Sequence, residues 1–153
     1  MKALLTACLT ILAPASGATA QTIAECDWRA SARNLVEPWE ENSRTFANGA
    51  VRLALLDTVE PAAAAMHLLV ISPPYGETGE AQCRVISFEQ SLGFTALYLQ
   101  QLTVSYDPSI GLSFALPGMI YLPENGFSNS MVLNFTLNQA SGEITAWKDL
   151  GNE

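Results

Sequence analysis

The chain has 153 residues, close to half of them apolar, with 15 acidic side chains against 7 basic ones and a single histidine, for a formal charge of −8. Such a surface repels phosphate backbones and anionic headgroups, and it lacks the Lys and Arg clusters that nucleic-acid binding requires. One imidazole also excludes metal sites built on paired histidines.

Residues 1–20 read as a secretory leader. Met1-Lys2 is a short positive start, ALLTACLTILA is an apolar stretch, and Ala18-Thr19-Ala20 fits the small-x-small cleavage rule. The apolar stretch is shorter than the roughly 20 residues a membrane span needs. Cleavage near Ala20 leaves one domain, residues 21–153, with no transmembrane segment, in a periplasmic or secreted setting. Cys8 departs with the leader. Cys26 and Cys83 remain, and in an oxidising compartment the two pair. The loop they close is worth about 4 kcal/mol on the chain-entropy model.

In chain order, Thr22 and Glu25 have capping-box spacing, yet DWRASAR also alternates, so a short N-terminal helix and a strand are both open there. NLVEPWEEN reads as a loop, since Pro38 biases its neighbour to extended geometry. RTFA, Asn48-Gly49 and AVRLALLD read as a hairpin with a type I′ turn. VEPAAAAM admits one helical turn, and MHLLVIS has the continuous apolar character of a strand buried on both faces. SPPYGETGEAQ is a loop. CRVISFE alternates, with Ile86 and Phe88 on one side.

FTALYLQQLTVSY is strand-rich, with a bulge expected near Gln100-Gln101, where the apolar phase shifts by one. LSFAL and MIYL read as two strands interrupted by Pro117-Gly118. SMVLNFTLNQ, the ASGE turn and ITAW form the clearest hairpin. The expected fold is mainly β: an antiparallel sandwich or small barrel of about eight strands, with at most a short N-terminal helix and one disulfide. The alternating segments are too short and irregular for a lipid-facing barrel.

Few residues point to chemistry. His67 lies between Met66 and Leu68 in an apolar run, no GxSxG elbow is present, and a satisfied core histidine is the expectation. Glu77 and Glu80 in GETGE fall short of a calcium site, and nothing implies a cofactor. The one candidate ligand site is EPWEEN. Trp39 offers a flat apolar face there, and Glu37, Glu40 and Glu41 could accept hydrogen bonds or act as an acid/base pair.

The leader, the two remaining cysteines, the Arg-over-Lys bias and the stretch ENSRTFANGAVRLALLDT resemble in style uncharacterised exported proteins of Gram-negative bacteria. That resemblance implies a compartment and no residue role. The reading that follows is an exported, non-catalytic domain that binds a protein partner or cell-envelope component, with strand addition one route. Its alternatives are an envelope-glycan hydrolase using the carboxylates near Trp39 and a lipocalin-like carrier of a small apolar ligand.

Overall fold

The computed structural model describes residues 21–151; the leader expected over residues 1–20 lies outside them. Among the described residues ten strands form two antiparallel five-stranded sheets. The strands are β1 (Thr22–Glu25), β2 (Ser43–Phe46), β3 (Val51–Asp57), β4 (Met66–Tyr75), β5 (Ala81–Ser87), β6 (Ala96–Leu97), β7 (Thr103–Asp107), β8 (Gly111–Leu122), β9 (Phe127–Leu137) and β10 (Ile144–Leu150). The first sheet runs β1-β5-β4-β3-β2. The second runs β10-β9-β8, with β6 and β7 sharing the far edge of β8. The arrangement is a sandwich, which decides between the two architectures left open above.

Alternation along each strand explains the core. Leu53 and Leu55 of β3, Leu68 and Val70 of β4, and Leu133 and Phe135 of β9 face one another across the sheets and are almost wholly buried. Phe114 joins them, stacked on Phe135 at 4.5 Å and edge-on to Phe46 of β2 at 5.2 Å.

Five local readings change, the last of them at Pro117-Gly118. The N-terminal segment is a strand, β1, followed by two 3-10 turns at Trp28–Ala30 and Ala32–Asn34. The β2–β3 hairpin closes through four residues, with Ala47, Asn48 and Gly49 all at positive φ, instead of a two-residue turn. At Gln100-Gln101 a 3-10 turn (Leu99–Gln101) replaces the bulge, and it buries Leu99. Strand β4 extends through Pro73-Pro74 to Tyr75, with a shift of register after Ser72 where donors are missing.

Pro117-Gly118 does not interrupt β8. The carbonyl of Pro117 accepts from the amide of Tyr98, so its missing N–H faces the same edge, in the gap between β7, which ends its pairing at Ala115, and β6, which begins at Gly118. Gly118 is required by close approach: a Cβ there would lie 2.5 Å from the Ala96 carbonyl and 2.9 Å from Met131 Cε.

The first sheet is apolar on both faces. Leu56, Leu69 and Val85 point away from the sandwich core and form a second buried cluster. Residues 26–42 cover it as a flap. The Cys26–Cys83 disulfide ties the flap down at one end, and the Val36 amide bonds to the Leu55 carbonyl at 3.1 Å further along. The outer face of the second sheet has no such cover.

Candidate functional site

Two constellations lie on the flap side of the molecule. The first is beneath the flap. The Asp27 side chain caps the turn at Trp28 and holds Arg29 in a bidentate ion pair, with Nε–Oδ1 and Nη2–Oδ2 both at 2.9 Å. Arg29 is buried, and its Nη1 donates to Ser87 Oγ at 2.9 Å and to the Gln90 carbonyl at 3.3 Å. Ser87 Oγ lies 2.8 Å from His67 Nδ1. With its lone pairs facing the guanidinium, the hydroxyl donates to the neutral ring, which leaves the ring proton on Nε2.

Burial, followed by the nearby Arg29 charge, lowers the His67 pKa to about 4, although Asp27 and Asp57 pull the other way. The hydrogen bond from Arg29 holds the Asp27 carboxyl below its usual value. Serine, histidine and aspartate thus occur together, but the acid is on the arginine and not on the imidazole. Ser87 is 0% exposed and His67 1%, so no substrate can reach either. The network fastens the flap to the sheet. This agrees with the expectation of a satisfied core histidine; the parts played by Arg29 and Ser87 carry no sequence signal, since nothing local links position 29 to position 87.

The second constellation is a groove where the flap stops short of β2. Its floor is Ala54, Leu69 and Ile71, outward residues of adjacent strands in register (Ala54 opposite Leu69, Arg52 opposite Ile71). Leu35, Val36 and Trp39 of the flap form one wall, and Arg44 and Arg52 stand at the rim. The cavity is about 250 Å³ and mostly apolar. That is below the roughly 300–1,000 Å³ of sites for drug-sized ligands, and suits one ring or one large side chain.

The two arginines differ. Arg44 Nη1 donates to the carbonyls of Glu40, Glu41 and Ser43, which pins the loop. Arg52 is exposed and has neither hydrogen bond nor ion pair among the described residues. No protein-family model, curated protein or solved structure matches this chain.

The EPWEEN residues therefore part company. Trp39 lines the groove while remaining 56% exposed, whereas Glu37, Glu40 and Glu41 are exposed and do not line it. Among the described residues no three His, Cys, Asp or Glu side chains gather as metal ligands would. A third feature is β7, exposed along its whole length, with no backbone partner on its outer edge among the described residues. Val104 and Tyr106 lie opposite Phe114 and Leu112, on the core-facing side, yet are 44% and 64% exposed, so β7 overhangs the sandwich.

Proposed function

We propose that the protein is an exported, non-catalytic binding domain, acting in the periplasm or outside the cell once residues 1–20 are removed, and that its groove accepts an apolar group carrying negative charge from a protein partner. The observation that carries this reading is the apolar floor with an unpaired arginine at its rim and no carboxylate in its lining. In a protein of formal charge −8, two guanidinium groups beside an apolar pocket, Arg52 without a partner and Arg44 bonded only to neutral carbonyls, favour an acidic neighbour to the anchoring group. A disulfide and the absence of any long apolar helix among the described residues are compatible with export.

The rival readings have less support. A glycan hydrolase needs two carboxylates converging on one pocket, and the three glutamates around Trp39 stay outside the groove. A carrier needs a closed barrel around a cavity, and here two separate sheets meet in one core.

The groove is tested with anilinonaphthalene sulfonate, which joins an aromatic body to an anion. The wild-type protein is expected to give a saturable rise in fluorescence. Arg52→Glu is expected to weaken it about tenfold, a change of about 1.4 kcal/mol, and Ala54→Trp to abolish it by filling the floor. Equal binding by all three proteins, or none by the wild type, would overturn the reading. Strand addition to β7 is a second reading, favoured by its free outer edge. A partner held there is lost on Tyr106→Lys and kept on Ala54→Trp; a partner held in the groove behaves in the opposite way.

A further inference from the structure

We infer that the bare outer face of the second sheet is a binding surface for a neutral polysaccharide, with Trp147 as its platform; this goes beyond the groove, which is on the opposite face of the sandwich. The pairing registers order that face into rows. Trp147 of β10 stands opposite Asn134 of β9, which stands opposite Ala115 of β8. The next row is Thr145, Thr136 and Ser113. On the other side of Trp147, Asp149 accepts a hydrogen bond from Asn134 Nδ2 at 2.8 Å. The neighbours of the indole in these rows are small or polar, and Trp147 is 40% exposed.

Two properties separate this surface from an ordinary solvated sheet face. The first is charge. Solvated faces are commonly held in water by long charged side chains, yet in a chain with 15 acidic and 7 basic residues the rows Trp147-Asn134-Ala115 and Thr145-Thr136-Ser113 carry none, the nearest charges in register being Asp149 on one side and Glu143 on the other. The second is the mixture of groups. A hexose ring presents an apolar C–H face and a rim of hydroxyls that both donate and accept. An indole meets the first. Ser and Thr hydroxyls, the Asn134 amide and the Asp149 carboxylate meet the second with donors and acceptors at fixed positions on a rigid sheet. A protein partner would want a wider apolar patch than one indole among hydroxyls, and an anionic glycan would be repelled by Asp149 and by the net charge.

The test is affinity electrophoresis of the oxidised protein through gels containing laminarin, hydroxyethyl cellulose, mannan or dextran, with alginate as the anionic control. Retardation by at least one neutral polymer is expected. Trp147→Ala is expected to weaken it roughly tenfold or more, Thr136→Arg to block it by raising a bulky side chain from the flat face, and Ala54→Trp in the groove to leave it unchanged. Circular dichroism melting confirms that each variant compared is folded. Retardation by no neutral polymer, by alginate alone, or to the same extent in Trp147→Ala and Thr136→Arg overturns the inference. None of these outcomes touches the groove, whose own probe reports on it separately.

Discussion

At the scale of single residues, His67 makes stability depend on pH. In the unfolded chain its ring takes a proton near the ordinary 6.5; in the folded protein only near about 4, because it is buried and faces Arg29. Between those values the unfolded state binds more protons, so stability is fully present above about pH 6.5, falls as the pH drops, and stops falling from this cause below about 4. The shift corresponds to at most about 3 kcal/mol. Urea unfolding at pH 7.0 and 4.5 is expected to show the loss, and His67→Gln, which keeps a partner for Ser87 but cannot titrate, to remove most of the slope. A wild-type stability that is flat over this range would mean that the ring is not held neutral. Asp27 acts further down. Its folded pKa is depressed by Arg29, so its contribution is present above its unfolded value near 3.8 and is lost as the pH falls through the lower folded value.

At the scale of elements, β8 and β7 show opposite tolerances. Gly118 has no room for a methyl group, and Gly118→Ala is expected to cost roughly 1–3 kcal/mol by overpacking against β6 and Met131. Tyr106 overhangs solvent, and Tyr106→Lys is expected to change stability by no more than about 0.5 kcal/mol. Chemical denaturation of the two variants side by side checks both. Strands β9, β4 and β8 show what could be read beforehand. Period-two alternation in SMVLNFTLNQ and the continuous apolar run MHLLVIS identify β9 and the both-face-buried β4 without a structure, because those patterns arise within a single strand. The continuity of β8 through Pro117-Gly118 could not be read that way. A proline is a strand breaker unless its absent N–H meets a gap, and that gap exists only because β6 and β7, successive along the same edge of β8, end on either side of it. The turn at Gln100-Gln101 is of the same kind: the phase shift is visible, but its resolution as a 3-10 turn depends on Leu99 finding the core.

At the scale of the whole molecule there are three layers: flap, first sheet, second sheet. They form two apolar clusters, the sandwich core and the smaller one beneath the flap. This layering explains why the candidate site was only half legible. Trp39 announces itself as an exposed aromatic in a polar loop. The floor it overlooks is assembled from alternate residues of β3 and β4, and Arg52 is at its rim only because of the strand's phase, so no local pattern could have separated Arg52 from the glutamates as a charge that lines the groove. The layering also predicts how the molecule comes apart. The flap is held by a short set of bonds: the disulfide, the Cys26 amide to the Cys83 carbonyl, the Arg29 contacts with Ser87 and Gln90, the Val36 amide to the Leu55 carbonyl and the Leu55 amide to the Asn42 carbonyl, with Ser43 and Arg44 donating to the carbonyls of Trp39, Glu40 and Glu41. With Cys26 and Cys83 joined, flap and sandwich are expected to unfold in one transition. Replacing both cysteines by serine frees a loop with a sequence separation of 57 residues and is expected to lower global stability by up to about 4 kcal/mol. Its local consequence is sharper. In native-state hydrogen exchange the amides of Leu35 and Val36, bonded within and beneath the flap, should lose protection through a small local opening, while those of the β8–β9 ladder continue to exchange only through global unfolding. Equal loss of protection in both regions would show that the flap is part of the sandwich's cooperative unit and not a separately fastened cover.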